Sequence, residues 1–120
     1  MTGFGESLRN VARRVPESQV LMVMGTDGIP IEKLVIQPDP NMEAVAAEYT
    51  SLLRASLSAA ADTGLGQLRE LAVHTERMTA LLVAITPEYF LFAALQPDVI
   101  VGRARFALRM AGVALEREFQ

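Results

Sequence analysis

Gln67–Leu95 reads QLRELAVHTERMTALLVAITPEYFLFAAL, three apolar runs parted by short polar breaks. The runs are Gln67–His74, Met78–Thr86 and Tyr89–Leu95, and the breaks are Thr75-Glu76-Arg77 and Pro87-Glu88. Runs of this length bounded by turn residues read as strands, and such short connections join antiparallel neighbours. Within Met78–Thr86, Ala80, Leu82 and Ala84 alternate with Leu81, Val83 and Ile85, so both faces are apolar. Tyr89–Leu95 behaves in the same way, and strands like these need cover above and below. Gln67–His74 differs, because Arg69, Glu70 and His74 make it the polar member of the meander. That pattern suits the edge of a sheet.

Upstream, Gln19–Met24 (QVLMVM) is a compact apolar run, followed by Gly25-Thr26-Asp27-Gly28 and then Ile31–Gln37 (IEKLVIQ). The pair reads as a hairpin with Asp27-Gly28 at its tip. Pro38-Asp39-Pro40-Asn41 breaks the sheet, with Asn41 placed to cap a helix. Met42–Ala61 carries seven alanines and no Gly or Pro, and it reads as a long helix ended by Gly64 and Gly66. At the start of the chain, Leu8, Val11, Ala12 and Val15 recur at helical spacing, Arg13-Arg14 suit the C-terminal end of the dipole, and Pro16 stops the helix. A last helix is expected from Asp98 to about Arg117, with Val99, Val101, Phe106, Leu108 and Val113 among its apolar members. The expected order is α-β-β-α-β-β-β-α in one domain spanning residues 1–120. The expected fold class is α+β: a five-stranded antiparallel sheet with the long helix on one face and the two terminal helices on the other.

Hydrophobic residues make up 51% of the 120 and charged residues 21%, enough for a core with apolar surface left over for a subunit interface. There is no cysteine, which excludes disulfides and thiolate chemistry and fits a reducing, cytoplasmic setting. The first residues, MTGFGESLRNVARRV, do not read as a signal peptide, and no apolar run is long enough to insert across a membrane. A net charge of −3 argues against nucleic acid as the partner.

No arrangement for catalysis, cofactor or metal emerges. His74, the single histidine, has no evident nucleophile or orienting partner. Ser7, Ser18, Ser51, Ser56 and Ser58 lack a nucleophile-elbow context. Carboxylates are dispersed and metal-ligand spacing is missing. Gly25–Gly28 lies in a hairpin and Gly64-Leu65-Gly66 follows a helix, so neither is a phosphate loop. Arg103, Arg105 and Arg109 read as a solvated helix face. More informative is the long helix. Its bulky stripe is Met42, Val45, Tyr49, Leu52, Leu53 and Leu57. A second stripe of small residues runs through Ala44, Ala47, Ser51, Ala55, Ser58 and Asp62, flanked by Glu48 and Arg54. An edge strand can also pair with its own copy about a two-fold axis. An axis near Leu71 or Ala72 avoids setting Glu70 against Glu70.

The hairpin VLMVMGTDGIPIEKL, the alanine-rich middle helix and the unit YFLFAALQPDVIVGRARFALRMAG, with Gly102, Arg105 and Leu108, resemble the Roadblock/dynein light chain superfamily over nearly the whole chain. Within it the chain looks most like the bacterial MglB-like regulators of a Ras-like GTPase. The resemblance implies a dimer, homo- or heterodimeric, whose sheets join at the third strand, here through Leu68, Arg69, Glu70, Leu71, Ala72 and Val73. It also implies that paired middle helices contact the GTPase, here through Ala47, Glu48, Ser51, Arg54, Ala55 and Ser58. Such a protein is not an enzyme and needs no cofactor; any activation of GTP hydrolysis would use the GTPase's own catalytic residues. The chain departs from the pattern in ending soon after its last helix, without the C-terminal extension some such regulators carry. A competing class is a PAS- or GAF-like small-molecule sensor, which would need a roomy pocket between sheet and helix.

Overall fold

The two-faced apolar strands lie where they can be covered on both sides. In a computed structural model describing residues 3–120, the elements are α1 (Gly3–Arg14), β1 (Ser18–Gly25), β2 (Pro30–Val35), α2 (Met42–Asp62), β3 (Glu70–His74), β4 (Thr79–Thr86), β5 (Tyr89–Leu95) and α3 (Val101–Glu118). Residues 1 and 2 of the expected domain span lie outside the described residues. The five strands form one antiparallel sheet in the order β2-β1-β5-β4-β3. The expected element order and class are both present.

The central strands carry a core on each face. Leu21, Val23, Leu81, Val83, Leu91 and Ala93 face α1 and α3, while Met22, Met24, Ala80, Leu82, Phe90 and Phe92 face α2. This separation is the period-2 alternation read from the sequence. α3 approaches the sheet through small residues: Ala104, Ala107, Ala111 and Gly112 are all buried. A Cβ added to Gly112 would stand 3.8 Å from the Ala84 carbonyl oxygen. Leu108 and Leu115 are buried beside these small residues, while Phe106 and Val113, expected among the apolar members of this helix, point outward and are exposed.

Several boundaries differ from expectation. Asn41 makes no side-chain cap to α2; instead Asp39 Oδ1 accepts the Asn41 N–H at 2.9 Å, an Asx turn that leads the chain into the helix. β3 begins at Glu70 rather than Gln67, leaving Leu68 and Arg69 ahead of the strand. α3 begins at Val101 rather than Asp98, because Gln96–Val99 closes a turn first (Val99 N–H to Gln96 O, 3.1 Å). At the hairpin tip Gly28 has φ +91°, and its N–H donates to Gly25 O at 2.9 Å. That is a type I turn followed by a left-handed residue, and only glycine adopts that φ without strain.

Candidate protein-interaction site

α2 is tied down along one flank. Lys33 Nζ of β2 lies 3.2 Å from Glu43 Oε2, and Arg54 Nη1 donates to the Thr26 carbonyl in the β1–β2 turn at 2.8 Å. Its underside, Met42, Ala46, Thr50 and Leu53, is buried on the sheet. Residues four and three apart share a helix flank, so Val45, Tyr49 and Leu52 lie opposite the tied side. Val45 and Tyr49 border a groove with Thr75, Arg77 and Met78 of the β3–β4 region. Leu52, a member of the bulky stripe, is 42% exposed on that flank.

The outer face of α2 is the small-residue stripe. Ala47, Glu48, Ser51, Arg54, Ala55 and Ser58 are all exposed, together with Ala44 and Asp62. Arg54 is nevertheless engaged, through Thr26 O and Ser51 Oγ at 3.4 Å. It serves the hairpin tie as well as the surface, a role spacing along the chain could not reveal.

β3 lies at an edge of the sheet, as its polarity suggested. Leu68, Leu71 and Val73 pack against the α2-side core and Ala72 against the other; Arg69 is exposed. Glu70 is not a free edge charge. Its side chain, 14% exposed, meets Arg105 Nε at 2.6 Å and Arg109 Nη2 at 3.3 Å. Arg105 and Arg109 are therefore not simply a solvated face: they clamp α3 to the edge strand. His74 Nδ1 is 3.3 Å from Thr79 Oγ1 on the adjacent strand.

The hydrogen bonds of β3 fix which backbone groups remain available. Ala84 N–H donates to Arg69 O at 3.0 Å and Thr75 N–H to Met78 O at 2.9 Å. In an antiparallel ladder the bonded residues alternate, so Arg69, Leu71, Val73 and Thr75 face β4. Glu70, Ala72 and His74 turn their N–H and C=O groups to the open edge. Ala72→Pro removes an outward donor and spares the β4 ladder, a substitution that edge strands tolerate. The expected result is an unchanged circular dichroism spectrum, with the edge pairing that the family resemblance implies weakened by about 1–3 kcal/mol, read by sedimentation. Loss of the fold would mean that Ala72 bonds inward.

Chemistry finds little to work with. Among the described residues no three His, Cys, Asp or Glu side chains gather to hold a metal ion. Ser18 and Ser56 donate to backbone carbonyls, at 2.7 and 2.9 Å. One cavity between α2 and the sheet, beside Leu53, Leu57, Leu82 and Phe90, holds ≈20 Å³. That is about a water's worth of room, far below a ligand pocket. No helix among the described residues is long and apolar enough to cross a membrane.

An antiparallel five-stranded sheet with three helices, α2 on one face and α1 and α3 on the other, is the α+β architecture of Roadblock/LC7 structures. The Roadblock/LC7 domain model matches residues 6–95, and the chain belongs to that family. The fold is similar to that of the gliding protein MglB from Thermus thermophilus, with TM-score 0.84, 17% identity, and coverage of 96% of this chain and 87% of that one. Myxococcus xanthus MglB gives TM-score 0.87 at 12% identity, covering 99% and 96%. MglC from Myxococcus xanthus is 26% identical over 98% of this chain and 99% of that one, with TM-score 0.71. No curated protein matches by sequence.

Proposed function

We propose that this chain is a single Roadblock-type domain, residues 1–120, that pairs with its own copy along β3 and holds a small Ras-like GTPase on the outer face of α2. The observation that carries the reading is the α2 surface. Its underside is buried and one flank is tied to the hairpin, while Ala44, Ala47, Ser51, Ala55 and Ser58 face outward with nothing above them among the described residues. Small side chains on a firmly held helix let another backbone approach closely at little entropic cost. The fold's similarity to MglB supports the choice of a GTPase as occupant, through the role implied for MglB-like regulators. On this reading the protein supplies a platform, and the residues that hydrolyse GTP belong to the partner. The small cavity beside Leu53 and Leu57 does not favour a small-molecule sensor there.

GTP turnover by the Ras-like GTPase of the same organism, measured with and without this protein, tests the proposal. Binding with faster turnover is the expected result for an activating regulator, and binding alone defines a scaffold. A GTPase that neither binds nor changes its rate overturns the partner assignment.

A further inference from the structure

We infer that the two β3 strands of the dimer meet with Ala72 on the two-fold axis, so that Glu70 of each copy stands opposite His74 of the other. This rests on the self-pairing proposed above and specifies its register. Glu70, Ala72 and His74 are the residues of β3 whose backbone groups face outward. An antiparallel ladder bonds outward groups only to outward groups, so every bonded pair must match two residues from this set.

With the axis at Ala72, Glu70 meets His74, Ala72 meets Ala72, and His74 meets Glu70: the whole of Glu70–His74 is paired. With the axis at Leu71, Glu70 meets Ala72, while His74 falls opposite Leu68, which lies ahead of the strand. An axis at Glu70 sets the two carboxylates against each other. The Ala72 register therefore makes the most bonds.

Side chains agree with the backbone. On the α2 face, Leu71 of one copy lies beside Val73 of the other, covering two half-buried apolar side chains. On the other face the axis is flanked by only one methyl group from each copy. Glu70 is already paired with Arg105 and Arg109, so the register does not need a charged His74. The opposite edge, β2, begins at Pro30, which cannot donate at its own position, and carries Glu32 and Lys33. Proline and charge of this kind blunt an edge.

The chain has no cysteine, so single cysteines report the register directly. In Ala72→Cys the two Cα atoms are expected about 5.5 Å apart, within disulfide range. In Leu71→Cys they lie on a diagonal at roughly 7–8 Å. Under copper–phenanthroline oxidation, Ala72→Cys is expected to form covalent dimers at least about tenfold faster than Leu71→Cys. The reverse ranking places the axis at Leu71 and overturns the inference. Sedimentation of the unmodified protein separates the two levels: a monomer sinks the self-pairing itself. A dimer in which neither variant cross-links overturns the register and assigns the contact to another surface.

Discussion

Phe92→Ala is expected to lower the unfolding free energy by about 3–5 kcal/mol. Phe92 is fully buried on β5, the middle strand of the sheet, with Met22 of β1 and Leu82 of β4 as its cross-strand neighbours. Its ring fills the layer on which α2 rests, in one cluster with Ala46 and Leu53. Truncation removes the transfer free energy of the ring and leaves a cavity that two flanking strands cannot close. Domains of this size are stable by only about 5–15 kcal/mol in total, so the loss is a large share. Chemical denaturation read by circular dichroism measures it, with Leu65→Ala at an 80%-exposed loop position as the near-neutral control. A loss below about 1 kcal/mol would mean that the α2 side of the core is loosely filled.

That core was legible because its signal is local. Alternation along Met78–Thr86 and Tyr89–Leu95 assigned each side chain to its face, and the structure keeps those faces. Connections too short for a crossover made the meander antiparallel, and the polarity of Arg69, Glu70 and His74 placed β3 at the edge. Some side-chain roles were hidden because their partners lie far along the chain. Arg105 and Arg109 looked solvated because Glu70, their counter-charge, is 35 and 39 residues away. Arg54 could not be seen as a tie to Thr26, 28 residues upstream. Helical spacing defines the bulky stripe that includes Leu52 without saying how wide a strip of sheet lies beneath it, and Leu52 is exposed. Apolar character alone does not separate Phe106 and Val113, which are exposed on α3, from Leu108 and Leu115, which are buried there. Within the candidate site, the stripe of small residues on α2 was legible from spacing, and the structure leaves it exposed. The phase of β3's hydrogen bonds, which limits how an edge can pair, leaves no trace in side-chain identity.

Ala55→Arg is expected to weaken the proposed GTPase complex by about 100-fold, equivalent to roughly 2.7 kcal/mol, without changing the fold. Ala55 is exposed on α2 between Ser51 and Ser58. Arginine has nearly alanine's helix propensity, and an exposed substitution of this kind shifts stability by only about 0.5 kcal/mol. In the complex, a long cation would stand where the partner's backbone is meant to come close. It must either fold aside, losing rotamer freedom, or hold the surfaces apart; a two-fold pair carries the obstruction on both platforms. Titration of the labelled GTPase with wild-type and variant protein reads the affinity, and thermal unfolding of the variant alone confirms its fold. Arg103→Ala, an exposed change on the opposite side of the sheet, is expected to leave binding within about twofold. Equal affinity for wild type and Ala55→Arg would move the partner off the α2 face. The next surface to test would then be the flank of Val45, Tyr49 and Leu52, whose exposed leucine nothing within the chain covers among the described residues.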